Sequence, residues 1–503
     1  MGGGLIQLVA YGIQDLFLTR DPQITFFKIV YRRHSNFSIE PIPQQFTQPL
    51  DFNKKSTCIL SRQGDLIGQT YLVLTLPCVN LEPLYLFAWV RKIGFALIKT
   101  IDLIINEQLI DRHYGEWLNI WYELMGPLQG NGFNKMIGNI SELAEFTPQK
   151  DSYEIHVPLQ FWFCRNSGSA LPLVCLQYSE VKINVELNDL EKCSLLTPTH
   201  YIETLNDFVN LKPFEYIEQN LNGKLACGIY TNYDFINKRL YYMKLSKHDF
   251  QASFHPSPIS GILDSFSPAH EQYIIKGITT NFIVFPKLNC FPQANIRPKL
   301  NICMGKCFLL IDYIFLDEDE RMRFLQGRHD YLIEQVGLIT EQTIDSSNVQ
   351  LNIDLSQPCK FFVWLTQYLH YQYIGEGFNY TDCYMHACGK SIGRSLVLDE
   401  TFLLNGRERL SNREYKYFNY VQSYQNFPYP ASEGLNVYSF ALTPEKFQPS
   451  GSCNMSQIDN LRITMRMNPY ISPHNPVKFR GYAVIYNILR IVNGIAGVVF
   501  RYT

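Results

Sequence analysis

The chain is 503 residues long with 44 Lys+Arg against 46 Asp+Glu, a formal net charge of -2, so no global excess of positive charge marks it as a nucleic-acid-coating protein. Aromatic residues make up 14% of it, beside 26 Pro and 30 Gly, a composition that favours an all-β chain with many turns over a helical bundle. Its 13 Cys lack framework spacing and no secretory signal precedes them, which points to reduced thiols in a cytosolic compartment, and the most apolar region, Leu84 to Ile105, is cut by Arg91, Lys92, Lys99 and Asp102, so no membrane span is expected.

The N-terminal arm, residues 1–25, alternates poorly and is loosened by Gly2, Gly3, Gly4 and Gly12. It nevertheless keeps Leu5, Ile6, Leu8, Val9, Leu16, Phe17 and Leu18, apolar residues that a free solvated tail would not carry. Strands are then expected over Phe37 to Phe46, Thr57 to Leu60, Tyr71 to Leu76, Gly94 to Ile105, Tyr153 to Phe163, Val181 to Leu187 and Phe308 to Leu316, separated by Pro, Gly and Asp turns. In Val181 to Leu187 the apolar Val181, Ile183, Val185 and Leu187 alternate with Lys182, Asn184 and Glu186, the period of a half-buried strand. Trp117, Trp121 and Leu124 fall at i, i+4 and i+7, on one face of a short helix.

A second strand set begins at Tyr331. Asn348 to Leu355 alternates with Val349, Leu351, Ile353 and Leu355 inward, followed by Lys360 to Gln367, Arg394 to Leu404, Val437 to Leu442, Asn460 to Met467, Gly481 to Ile491 and Gly494 to Phe500. The two sets repeat one another. Each contains a Ser-Gly-Ser turn, at Ser167 and at Ser450, followed by an alternating strand, and each contains a strand, an Asn turn, charged residues and an aromatic helix, at Leu103 to Leu124 and Phe402 to Val421. Residues 26–316 thus form a first unit with an insertion at about 188–306, the charged residues 317–330 form a solvated linker, and 331–503 form a second unit. The insertion carries too many aromatics for a disordered segment.

Long collinear stretches carry a resemblance. GGLIQLVAYGIQDLFLTRDPQITFFKIVYRRHSNF from Gly3, INEQLIDRHYGEW from Ile105, VPLQFWFCRNSGSALPLVCLQYSEVKI from Val157, IDYIFLDEDERMRF from Ile311, VYSFALTPEKFQPSGSCNMSQIDN from Val437 and YAVIYNILRIVNGIAG from Tyr482 closely resemble the major capsid proteins of nucleocytoplasmic large DNA viruses. The resemblance implies an all-β double jelly roll, two tandem eight-stranded antiparallel jelly rolls with short helices in loops. It further implies a homotrimer in the capsid shell of an icosahedral virion assembled in the host cytoplasm. Its partners would be neighbouring capsomers, penton and minor capsid proteins, with a possible inner membrane contact and no specific nucleic acid. The strand sets agree with this on their own terms, because eight or so antiparallel strands with long connections suit a jelly roll. Two similar rolls per chain would let three chains present six similar edges.

No catalytic site, cofactor site or metal site is expected. Gly389 to Gly393 matches GxSxG with Ser391 at the nucleophile position, but a Cys- and Tyr-rich loop precedes it and a strand follows, the reverse of the strand-to-helix turn that this chemistry needs. Gly389, Lys390 and Ser391 end like a phosphate-binding loop, yet Tyr384 stands where its first Gly belongs. Cys383, His386 and Cys388, or Cys303 with Cys307, lack the paired spacing of structural zinc. Asp317 to Glu320 is acidic, but Arg321 and Met322 stand where a calcium loop needs a ligand and a Gly. A cupin-like enzyme would need inward His residues, and here they are scattered; a jelly-roll lectin and a minor capsid paralogue are further readings of the same fold. Arg20, Lys28, Arg32 and Arg33 are the candidate contacts to acidic partners or lipid headgroups on the inner face of a shell. The sequons at Asn36, Asn139, Asn379 and Asn454 discriminate nothing.

Overall fold

The computed structural model describes residues 3–126, 130–221, 224–246, 248–252, 273–287, 290–294, 298–383, 393–473 and 475–500. The first strand set runs β1 (Phe37–Gln45), β2 (Lys55–Ile59), β3 (Leu66–Leu76), β4 (Ile98–Ile105) and β5 (Gln108–His113), then helix α1 (Gly115–Met125), then β6 (Tyr153–Pro158), β7 (Leu171–Pro172), β8 (Val181–Leu187) and, after a long excursion, β9 (Cys307–Leu316). These strands make two antiparallel sheets, β1-β9-β3-β7 with β6 also on β3, and β2-β8-β4-β5. The core lies between them. Leu72 and Leu74 of β3 and Ile311 and Tyr313 of β9 meet Ile101 and Leu103 of β4 and Ile183 and Val185 of β8, all fully buried. β8 has the expected bounds and alternates buried and half-buried along its whole length.

The second set repeats this order. β10 (His329–Ile344), β11 (Asn348–Ile353), β12 (Pro358–Tyr368), β13 (Val397–Leu404) and β14 (Arg407–Glu414) lead into a π-helical turn, Tyr417–Val421, which continues as an α-helix, Gln422–Asn426; β15 (Leu435–Ser439), β16 (Leu461–Met467), β17 (Val477–Val492) and β18 (Ile495–Val498) follow. The sheets are β10-β17-β12-β15, with β18 on β17 and Cys453–Asn454 on β12, and β11-β16-β13-β14. Their core joins Phe362 and Trp364 to Ile463, Met465, Leu351 and Ile485. Each roll thus has eight principal strands plus short accessory ones. Both repeated turns place an Asn in the left-handed region, Asn106 at φ 51 and Asn405 at φ 50, a conformation that Asn tolerates better than most side chains.

Several sequence expectations are corrected. The first roll does not open at residue 26, because residues 26–36 form no strand and are exposed throughout, and pairing starts at Phe37. The expected strand from Gly94 is interrupted. Lys92 is left-handed at φ 53, Ile93–Ala96 form a helical turn, and a Cβ on Gly94 would lie 2.9 Å from the Ile137 carbonyl oxygen. The strand from Tyr153 stops at Pro158, and Trp162–Arg165 turn helical. Val349 and Leu355 are half-buried rather than inward.

The charged stretch 317–330 joins the two rolls and buries no residue, but it is structured, holding helix α2 (Glu318–Leu325) and the start of β10. Asp317 caps α2 by accepting from the Glu320 N–H at 2.9 Å, and the acidic first turn suits the helix dipole. Arg321 Nε lies 3.1 Å from Asp65, and the Cys175 thiol donates to the Phe324 carbonyl, so α2 is clamped onto the first roll.

The insertion, expected from about residue 188, departs later. Ser194–Thr197 still pairs with Leu86–Trp89 of the first roll. Beyond it a seven-stranded sheet extends from His200–Glu203 to Gln293–Ala294. One face of its strand Lys224–Asp234 sends Ala226 and Tyr230 into a core of the insertion's own with Ile202, Ile217, Leu240 and Tyr242, while Cys227 and Ile229 join the core of the second roll. The insertion leaves the first roll in sequence and docks on the second, as a sheet with two apolar faces must have both covered.

Candidate assembly surfaces

The two rolls are fused by a buried junction built around α1. Trp117, Ile120 and Leu124 of α1 pack on Val336 of β10, Phe361 and Val363 of β12, and Tyr482 and Val484 of β17, the face of that sheet pointing away from the second roll's own core. The Trp117 ring lies 5.8 Å from Tyr482 and 6.4 Å from Phe361. Glu116, the residue before Trp117, meets Arg480 at 2.7 Å and accepts from the Tyr482 hydroxyl at 2.7 Å. Burial raises the Glu116 carboxyl, and the Arg480 charge and the Tyr482 hydrogen bond oppose the rise.

A second polar knot sits beside the first. Glu334 of β10 accepts from Arg165 of the first roll at 2.8 Å and pairs with Lys360 of β12. Burial lowers the Lys360 ammonium, and Glu334 counteracts it. The Val336 N–H donates to Asp111 of β5 at 2.9 Å. At the far end the Gly494 carbonyl accepts from the Tyr178 N–H and the Ser179 hydroxyl, both at 3.1 Å. Buried pairs of this kind fix register more than they add stability, because removing one partner strands the other charge. A cavity of about 540 Å³ borders the junction, lined by Tyr114, Glu116, Lys478 and Arg480 among others.

The arm has no such neighbours. Arg20 reaches only the adjacent Asp21, at 3.6 Å, and Lys28, Arg32 and Arg33 are exposed, with no carboxylate within ion-pair distance among the described residues. Phe17 is 91% exposed and Phe27 98%. The four basic residues are thus exposed and, apart from the Arg20–Asp21 pair, free of ion pairs among the described residues.

Ser391, His386 and Cys388, with Gly389 and Lys390, lie outside the described residues. Cys383 is disulfide-bonded, against the expectation of reduced thiols throughout, whereas Cys303 and Cys307 are free and burial pushes the Cys307 thiol up to about 11. Among the described residues no group of three His, Cys, Asp or Glu side chains is placed to hold a metal, and no helix is long and apolar enough to cross a membrane. Asn379 is buried and donates to Glu376 and to the Cys383 carbonyl, which closes that sequon to a glycan.

Residues 25–237 match the family described as major capsid protein N-terminus, and residues 320–497 that described as large eukaryotic DNA virus major capsid protein. Over the whole chain it is 41% identical to probable capsid protein 4 of Acanthamoeba polyphaga mimivirus, covering 99% of that protein, and 31% identical to the major capsid protein of Phaeocystis pouchetii virus, covering 100% of it. The chain belongs to the major capsid protein family of large eukaryotic DNA viruses. Among solved structures it is similar to PBCV-1 VP54, with a TM-score of 0.62 at 23% identity over 95% of this chain and 100% of that one. The Faustovirus major capsid protein gives 0.64 at 12% identity, over 96% and 94%. At these identities the likeness speaks to the fold, a double jelly roll. The protein has a structural role in the virion capsid.

Proposed function

We propose that three copies of this chain close into a pseudo-hexagonal capsomer that tiles the shell beside neighbouring capsomers, penton and minor capsid proteins, and that the role is geometric, with no reaction catalysed. The observation that carries this is the internal repeat. Sheet orders β1-β9-β3 and β2-β8-β4-β5 recur as β10-β17-β12 and β11-β16-β13-β14, and the α1 junction fuses the two rolls, so three chains amount to six similar blocks. Size-exclusion chromatography with light scattering on the full chain should give three times the chain mass; a stable monomer at micromolar concentration overturns the trimer.

In the same reading the arm faces the inside of the shell, with Arg20, Lys28, Arg32 and Arg33 toward acidic partners or lipid headgroups, and particles assemble in the host cytoplasm. The arm's exposed apolar residues support a partner for it. Deleting Met1 to Thr19 should leave trimers intact and stop particles from closing, whereas loss of soluble trimer would show that the arm serves the fold.

A second reading is favoured by one comparison. Identity is 41% to capsid protein 4 of the mimivirus but 28% to capsid protein 1 of the same virus, which fits a capsid paralogue at special positions of a shell. Copy number in purified particles separates the two, hundreds of times the penton count for the principal tile and a small multiple of it for a paralogue.

A further inference from the structure

The cavity of about 540 Å³ between the rolls differs in charge from the rest of the junction. Its wall carries six cationic side chains against three carboxylates. Four of the cations are matched. Arg480 meets Glu116 at 2.7 Å and Lys478 pairs with Glu341, while Lys92 reaches Glu123 at 2.9 Å and Lys99 reaches Glu186 at 2.6 Å. The third carboxylate of the wall, Glu376, accepts from the Asn379 amide at 3.1 Å. Arg91 and Lys192 remain, and neither has a carboxylate within ion-pair distance among the described residues.

These two cations are neighbours. Ser194 stands opposite Trp89 in the short antiparallel pair and the Val90 N–H donates to the Cys193 carbonyl at 3.1 Å, so the next residue is Lys192 on one segment and Arg91 on the other. Like charges placed opposite one another repel. The turn after Arg91 is also strained. Lys92 sits at φ 53, a conformation that residues with a side chain rarely adopt, and its ammonium is held by Asn119 at 2.7 Å and by Glu123 of α1. A third observation comes from the wall that the second roll supplies. Arg480 is 8% exposed and donates to Gln367 at 2.8 Å, but its Nε is buried with no hydrogen-bond partner among the described residues. Buried donors are almost always satisfied, so this one suits an acceptor brought from outside the chain. Phe378 and Tyr114, both half-buried, add aromatic wall to the same cavity.

The geometry points to a binding site for a small organic phosphate with an aromatic body, of the size of a nucleoside monophosphate. A phosphate monoester carries close to two negative charges at neutral pH, which answers the two unmatched cations, and Arg and Lys both recognise such a group. The body of the ligand lies against Phe378 and Tyr114, and one of its oxygens or ring nitrogens accepts from Arg480 Nε. Inorganic phosphate alone would leave most of the space unfilled, whereas sites for organic ligands span about 300–1,000 Å³. Arg91 and Lys192 belong to the first roll and Arg480 to the second, so the bound ligand ties the rolls together and raises the stability of the chain.

The test is calorimetric titration of the full chain with adenosine 5′-monophosphate, phenyl phosphate, adenosine and inorganic phosphate. The two esters should bind at one site per chain and raise the unfolding temperature, and adenosine and inorganic phosphate should bind at least about tenfold more weakly. Arg91→Gln combined with Lys192→Gln, at side chains that are not buried, should weaken both esters by at least about tenfold with an unchanged circular dichroism spectrum. Lys416→Gln, outside the cavity, should change neither. Failure of both esters to bind at about 1 mM refutes the site, as does equal binding by the double variant. Inorganic phosphate that binds as tightly as the esters refutes the organic ligand.

Discussion

Trp117→Ala is expected to destabilise the chain by about 3–5 kcal/mol, the cost of emptying a buried Trp site that cannot collapse, and to split one unfolding transition into two. The ring is 1% exposed and touches Tyr482, Phe361 and Trp121, so its removal opens a cavity between the rolls rather than inside either. The second roll's inter-sheet core does not depend on it, because its members lie on the opposite faces of β12 and β17, and the ring is no member of the first roll's core either. Each roll should then unfold on its own, and tryptophan fluorescence in a denaturant series would resolve two midpoints. Trp121→Ala is the control. That ring is half-buried with the Arg165 guanidinium 4.4 Å above it, and the loss should be under about 2 kcal/mol with one transition retained. Equal effects from the two substitutions would mean that the junction is not what couples the rolls.

The sequence carried the strands whose two faces differ and little else of the junction. Val181–Leu187 and Leu461–Met467 have their apolar residues on one side only, and both are strands with alternate residues buried. β5 and β14 escaped notice because they are charged edge strands: RERLSNRE shows no alternation when both its faces meet water. α2 was hidden in a charge run, although Asp317 three residues before Glu320 is the spacing of a helix start. On α1 the apolar face was visible, but not what covers it. The partners Arg480 and Tyr482 lie more than half the chain away, and one sequence holds no signal that links them to Glu116. The docking of the insertion was equally silent, since Cys227 and Ile229 beside Ala226 and Tyr230 read as a strand buried on both faces without saying against what.

Stability is expected to fall as pH rises from about 5 to about 9, through one residue in the second roll. Glu400 of β13 is fully buried; it accepts from the Trp364 indole N–H and the Asn436 amide, each at 2.7 Å, and among the described residues no Lys or Arg forms an ion pair with it. Burial pushes its carboxyl from 4.5 up to about 8, and Asp399 adds to the rise. Between these values the folded chain holds a proton that the unfolded chain has released. The favourable contribution is therefore complete below about 4.5, declines with rising pH, and is gone above about 8, a change on the order of 5 kcal/mol at most. Other groups titrate in the same experiment. Desolvation pushes the half-buried His370 imidazole down to about 4 and makes stability fall as pH drops below its ordinary 6.5. Glu400→Gln separates the two, because it keeps an oxygen for the indole and carries no charge at any pH, while His370 is the same in both chains. The variant should match the wild type in unfolding free energy from urea titration at pH 5 and exceed it by several kcal/mol at pH 9. If the difference between the two chains is independent of pH, Glu400 is ionised in the fold and water or a shift of the Trp364 side chain must be stabilising it.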